Sequence, residues 1–213
     1  MFRALAKDLA GTADICTTVT NLSKTLASSY LLPGETILFA FASAKEEFAF
    51  TNESLITVRG ENATTTRKLV VRYEYRDHHL SHVEFETTGR VDRDCEIKFR
   101  IGNEDMSIDI AKKEEELVKI HYKALVALAR EQKVRNNNWY FAQMALDKTS
   151  DAMKMSDRGD PELSLTGQAE GASGWLESDY ARLNPRNYHA TIQSAIANVG
   201  SASGSSRHRR SVA

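Results

Sequence analysis

The sequence predicts an α+β fold, a seven-stranded antiparallel β-barrel capped by a helix. About seven short strand-like runs lie between Glu35 and Ala111. They lead straight into one long amphipathic helical pattern, Lys112 to Lys133. The links between the runs are short and polar, which favours hairpins over parallel crossovers.

Residues 1–32 read as helix. Phe2, Leu5, Ala6, Leu9 and Ala13 fall at helical spacing, as do Ile15, Val19, Leu22 and Leu26. Gly11 divides the run, and Thr17, Thr18 and Thr20 lower its propensity. The face is small and poor in Lys and Arg for a membrane-surface helix. It is expected to pack on its own domain or on a neighbouring subunit.

Pro33-Gly34 signals a turn. Strand patterns follow at Glu35–Ser43, Glu46–Thr51, Ser54–Gly60, Lys68–Arg76, Leu80–Thr87, Cys95–Ile101 and Met106–Ala111. Alternation such as Ile97, Phe99 and Ile101 against Glu96, Lys98 and Arg100 describes strands with one buried and one wet face. In the capping helix, Leu117, His121, Leu125 and Leu128 share a stripe. Glu114, Glu115 and Glu116 suit its N-terminus, and His121 is expected to be partly buried with its polar atoms satisfied. Asn136-Asn137-Asn138 reads as a break, with a second helix from Trp139 to Met155. Asp157 to Ser164 reads as a linker. Short helices follow at Ala169–Leu183 and Tyr188–Val199. The expected organisation is an N-terminal helical segment (1–32), the barrel with its cap (33–133), a helical extension (134–199) and a disordered basic tail (200–213).

Lys plus Arg number 28 and Asp plus Glu 29, a net charge of −1 that favours no nucleic-acid partner. The two cysteines do not make a disulfide framework. Cys95 reads as a buried small hydrophobe and Cys16 as a helix-face residue, in a reducing compartment. No apolar run reaches the roughly 18 residues that span a bilayer, and no secretory signal is legible. The expected location is cytoplasmic, with nuclear access.

Chemistry-bearing patterns are few. His78, His79 and His82 form the densest group of metal-ligand types. On a strand, His78 and His82 would lie about 13 Å apart, too far to share one zinc without a bend. A metal-dependent enzyme at this turn is the weakest reading, and no cofactor or metal is expected. No nucleophile elbow or P-loop is present. Lys45, Arg59, Arg67, Lys68 and Arg72 gather around two strands and could form an anion site at one mouth of a small barrel. Ordinary sheet-edge charge is the plainer account. Trp139, Tyr140, Phe141 and Trp175 are candidate interface anchors, since hot spots favour Trp and Tyr, or equally core for the C-terminal helices.

The stretch FAFASAKEEFAFTNESLITVRG, then RYEYRDHHLSHVEFETTG and DCEIKFRI, resembles the bacterial pleckstrin-homology (PH) domain family. Phe48, Phe50, Thr51, Asn52, Leu55 and Ile56 match a strand-turn-strand signature. Val83, Phe85, Glu86 and Gly89 match the next segment, and Asp94, Glu96, Ile97 and Lys98 the one after. The resemblance covers about residues 30–132. It implies two nearly orthogonal antiparallel sheets capped by a C-terminal helix, self-association, and no shared catalytic residues. It marks Phe48, Thr51, Asn52 and Leu55 as structural. From Asn136 onward the chain departs from the family's short form and reads as a eukaryotic, plant-type elaboration. The function expected is a non-enzymatic module that self-associates and binds protein partners as a scaffold or adaptor. The alternative is attachment to anionic phosphoinositide lipid through the basic mouth.

Overall fold

The computed structural model describes residues 14–60, 67–87, 89, 94–154 and 165–204. The chain divides into two compact units, residues 1–130 with 186–213, and residues 131–185. In the first unit, strands β1 (Thr17–Thr18), β2 (Ile37–Ala42), β3 (Glu46–Thr51), β4 (Ser54–Gly60) and β5 (Lys68–Glu74) form one sheet in that order. Strands β6 (Leu80–Glu86), β7 (Asp94–Ile101) and β8 (Glu104–Ala111) form a second. Among the described residues every strand pairing is antiparallel, so the seven expected strands stand and β1 is an eighth. Helix α1 runs Glu115–Lys154, α2 Leu165–Leu183 and α3 His189–Gly204.

The helix expected over residues 1–32 is corrected where it is described; residues 1–13 lie outside the described residues. From Asp14 the chain is extended, and Cys16 bridges in parallel to Ile110 of β8 while Thr17 and Thr18 pair with β2. The Cys16 N–H donates to Asp109 O at 2.7 Å and Ala111 N–H to Cys16 O at 2.9 Å. This segment therefore joins the two sheets, and Cys16 is a buried core residue, not a helix-face one. The β-branched run at Thr17–Thr20 suits extended backbone, and two sheet edges supply the hydrogen bonds a helix would have made internally. Leu22–Lys24 and Ala27–Tyr30 are short 3-10 turns. Glu47, itself buried, accepts the N–H groups of Leu26 at 2.9 Å and Ala27 at 2.8 Å.

These turns cover the outer face of the first sheet. Ala27 packs with Ala40, Ala49, Ile56 and Val58, flanked by Val19, Leu22 and Leu31. The Phe-Ala alternation of β2 and β3 is thus a two-sided pattern. Phenylalanines face the main core, and alanines leave room for the covering segment. The expectation of one wet face holds for β6 to β8 but not for β3 and β4, which are buried on both faces.

The main core gathers Phe39, Phe41, Phe48 and Phe50 from the first sheet, Ile97, Phe99, Ile108 and Ile110 from the second, and Val118, Leu125 and Leu128 from α1. Leu117, expected in that stripe, is 41% exposed, and Val118 takes its place. Tyr188 and Ile192, at and just inside the start of α3, complete the same core. The last helix thus belongs to the first unit, not to a separate extension, and it reaches into the expected tail as far as Gly204. Residues 205–213 lie outside the described residues. The expected break at Asn136–Asn138 is absent, because α1 continues through all three asparagines. Asparagine is only modestly unfavourable inside a helix.

Two polar arrangements sit inside this packing. Glu35, with its side chain fully buried, receives four donors: the hydroxyls of Thr51 (2.5 Å) and Ser54 (2.7 Å), the Arg72 guanidinium (2.8 Å) and the Leu32 N–H (3.0 Å). Burial opposes its ionisation, but these donors outweigh burial and hold the carboxyl below its ordinary value. Asn52 bonds Thr36 through backbone and side chain and accepts the Tyr188 N–H at 2.7 Å. His121 stacks on Phe39 at 4.5 Å and meets Phe41 edge-on at 5.3 Å, with Nδ1 lacking a hydrogen-bond partner. The expected satisfied histidine is therefore corrected. Burial pushes its pKa down to about 4, so the ring is neutral in the core at pH 7.

Replacing Arg72 by Met leaves the Glu35 carboxylate without its cation and is expected to cost about 3 kcal/mol in urea unfolding. Glu35→Gln should cost less, about 1–2 kcal/mol, because Arg72 keeps Glu74 at 3.2 Å. The unfolded His121 ring binds a proton more readily than the folded one. Its contribution is therefore complete above pH 6.5 and is lost as pH falls toward 4, by about 3 kcal/mol. Stability measured against pH should show this loss in the native chain and not in His121→Phe.

Candidate functional site

Lys45, in the β2–β3 turn, accepts the Gly60 N–H at its carbonyl (2.9 Å), and Gly60 lies opposite Lys68 across β4–β5. Arg59 precedes Gly60, and Arg67 precedes Lys68. The structure thus brings four of the five basic candidates to one end of the first sheet. Arg72 lies further along β5, opposite Ile56. The charges are not left open. Lys45 pairs with Asp14 at 3.1 Å, Arg59 with Glu46 at 3.6 Å, and Arg72 with Glu35 and Glu74. Arg59 also lies 5.4 Å from the Phe48 ring centre. Strand alternation sends Arg59 and Lys68 to opposite faces. Burial, followed by the nearby Asp14 and Asp109 carboxylates, raises the Glu46 pKa despite Arg59. Acid is therefore interleaved with base here.

The histidines do not converge. His78 contacts Tyr73 edge-on at 5.8 Å and reaches the Glu74 carbonyl at 3.3 Å through Nδ1. His79 is half-buried, and burial lowers its pKa. His82 sits at a positive φ of 50° within the register shift between Ser81 and Glu84, its Nδ1 3.2 Å from the Ser81 hydroxyl. Among the described residues no group of three His, Cys, Asp or Glu could hold a metal ion. The two cysteines are free and buried. Burial first, with nearby carboxylates, pushes the Cys16 thiol up to about 12, so it offers no nucleophile.

The helical unit, residues 131–185, is different in kind. Trp139 of α1 meets Tyr180 of α2 edge-on at 5.2 Å, and Arg135 bonds the Arg182 carbonyl at 3.0 Å. Trp139 is therefore a packing residue within this unit. Tyr140 and Phe141 are 58% and 62% exposed, with rings 6.1 Å apart, and Trp175 is 42% exposed. Val134, Met144 and Tyr180, which were not among the expected interface anchors, add exposed apolar surface. A groove of about 350 Å³ runs along α1 and α2, lined by Tyr140, Met144 and Leu176 among others. The signal for Val134 and Met144 was their heptad spacing from Phe141 and Asn137, and assuming a helix break at Asn136 concealed it. Among the described residues no helix is long and apolar enough to cross a membrane.

Comparison with known proteins agrees with this geometry. The chain is 37% identical over 152 residues to the uncharacterized protein YvbH of Bacillus subtilis (strain 168), covering 70% of this chain and 74% of that one. The crystal structure of a PH-domain-containing protein from Exiguobacterium sibiricum 255-15 superimposes with a TM-score of 0.79 at 32% identity, covering 86% of this chain and all of the other. That coverage extends past residue 129 into the C-terminal helices, so a bacterial relative shares part of them, and a eukaryotic elaboration is not needed to explain them. The model of the bacterial PH domain family matches residues 5–129. With its two antiparallel sheets and helical cap in place, the chain belongs to the bacterial PH domain family.

Proposed function

We propose that this protein is a non-catalytic interaction module that self-associates and binds protein partners as a scaffold or adaptor. The observation that carries the reading is the exposed aromatic surface of the helical unit, where Tyr140, Phe141 and Trp175 keep 58%, 62% and 42% of their area in solvent. Large aromatics cost little entropy to order and dominate interface energies. Neighbouring exposed rings such as Tyr140 and Phe141, 6.1 Å apart, mark an interaction surface more often than scattered single residues do. The described histidines, thiols and paired carboxylates give no nucleophile set beside a base, which favours binding over chemistry.

A second reading, attachment to anionic phosphoinositide lipid, rests on Lys45, Arg59, Arg67 and Lys68 lying at one sheet end. Ion pairing of Lys45 and Arg59 within the chain weakens it, because neutralised cations contribute little to a surface potential.

Sedimentation velocity across about 1–100 μM protein, a range set by typical moderate affinities, should show concentration-dependent association. Phe141→Ser should weaken it by about tenfold or more while leaving the circular dichroism unchanged. A native chain that is monomeric throughout would overturn the self-association. Phosphoinositide liposomes should not retain the protein at physiological salt. Salt-sensitive retention that disappears in Arg67→Glu/Lys68→Glu would put the lipid reading first.

A further inference from the structure

Four strands bound the two sheets, β1 and β5 in one, β6 and β8 in the other. A sheet edge offers a row of backbone N–H and C=O groups to any extended chain, and folded proteins ordinarily blunt it. Three of these edges are blunted. β1 is two residues long. β8 is bridged at Ile110 by Cys16, through the Asp109 carbonyl and the Ala111 N–H. β6 is interrupted by the register shift between Ser81 and Glu84, with His82 at a φ of 50°. An irregularity of this kind turns an edge away from a flat partner.

β5 has none of these devices. Its seven residues pair with β4 in unbroken register, from Lys68 opposite Gly60 to Glu74 opposite Ser54. Among the described residues no strand lies on its other side. Successive residues alternate faces, so Leu69, Val71 and Tyr73 share one. Leu69 is 65% exposed, the most of any large hydrophobic side chain among the described residues, and Val71 and Tyr73 are half-buried. Apolar side chains in solvent beside an open hydrogen-bond ladder are what an added strand would cover.

Charge gives the edge a direction. Arg72 is held by Glu35 and Glu74. At the start of the strand Arg67 and Lys68 stand together, and Lys68 has no ion-pair partner among the described residues. The cationic end of the edge is therefore its N-terminal one.

We propose that the β5 edge binds an extended, acid-terminated segment of a partner protein, which joins the five-stranded sheet as an antiparallel sixth strand. Antiparallel addition continues the pairing of that sheet and is slightly the more stable per residue. The segment's alternate apolar side chains lie beside Leu69, Val71 and Tyr73. Its Asp or Glu residues come last, because an antiparallel strand ends where β5 begins, at Lys68. This inference goes beyond the aromatic surface of the helical unit and stands whether or not the chain self-associates.

The test uses a displayed library of random segments of about 12 residues, enough to span a seven-residue strand, selected on the full chain. Enriched segments should alternate apolar and polar residues and end in Asp or Glu. Measured as labelled peptides by fluorescence anisotropy, their affinity should fall about tenfold for Leu69→Thr and about tenfold for Lys68→Glu. Replacing the terminal acids by lysine should weaken binding to the native chain and restore it to Lys68→Glu. Leu69 is exposed and threonine suits a strand, and circular dichroism will verify that both variants fold. If no segment is enriched, or enriched segments bind both variants as tightly as the native chain, the β5 edge is overturned. Neither result alters the association read by sedimentation velocity, so the two proposals fail separately.

Discussion

A buried carboxylate must recover inside the protein the hydrogen bonds it gives up in water, and Glu35 makes this the organising constraint of the first unit. Its two oxygens draw donors from Leu32, from Thr51 and Ser54 on either side of the β3–β4 turn, and from Arg72 on β5. Donors from four places in the chain can meet there only in one strand register. Asn52, inside that turn, holds Thr36 at the start of β2 and the Tyr188 N–H at the entrance to α3. Arg186 reaches Glu53 at 2.6 Å beside it. One two-residue turn thus fixes the first sheet and anchors a helix more than 130 residues away in sequence.

The same packing decides which surfaces remain for function. The 3-10 turns after β1, held by Glu47, cover the outer face of the first sheet with small and aliphatic side chains. The inner faces of both sheets close on each other under α1. What remains open is the polar outer side of β6 to β8, a mixed-charge sheet end with the β5 edge that leads from it, and the helical unit. On the polar side, opposite charges such as Arg100 and Asp105 already satisfy one another at 2.8 Å. The helical unit offers the exposed Tyr140 and Phe141 rings, 6.1 Å apart, and β5 its outer edge, so the functional proposals fall on these two.

The sheet-end cations show why composition along a strand is a poor guide to a binding site. Lys45, Arg59 and Arg72 stand out in the primary sequence as candidate anion contacts. Asp14, Glu46 and Glu35 reach them through the antiparallel ladder and through the segment that joins the sheets. A guanidinium beside a buried carboxylate serves the fold first, because separating the pair strands a charge in low dielectric.

The strands of β2 to β8, the turn at Asn52-Glu53 and the capping helix were legible in the sequence, because each depends on a local period and on side chains facing a single core. Trp139 and Phe141 stood out by residue type alone. The path from Cys16 to Tyr30 was not, because spacing cannot distinguish a helical face from a segment whose backbone is recruited by two sheet edges. Nor was the continuity of α1 through Asn136–Asn138, where a modest local penalty yields to hydrogen bonds on both sides. The division of labour between Trp139, which packs on Tyr180, and Phe141, which stays in solvent, also required the fold. The sequence by itself determined where hydrophobic periods change. Only tertiary structure decided which polar groups are paired and which apolar faces remain uncovered, because both depend on residues that the chain brings together from far apart.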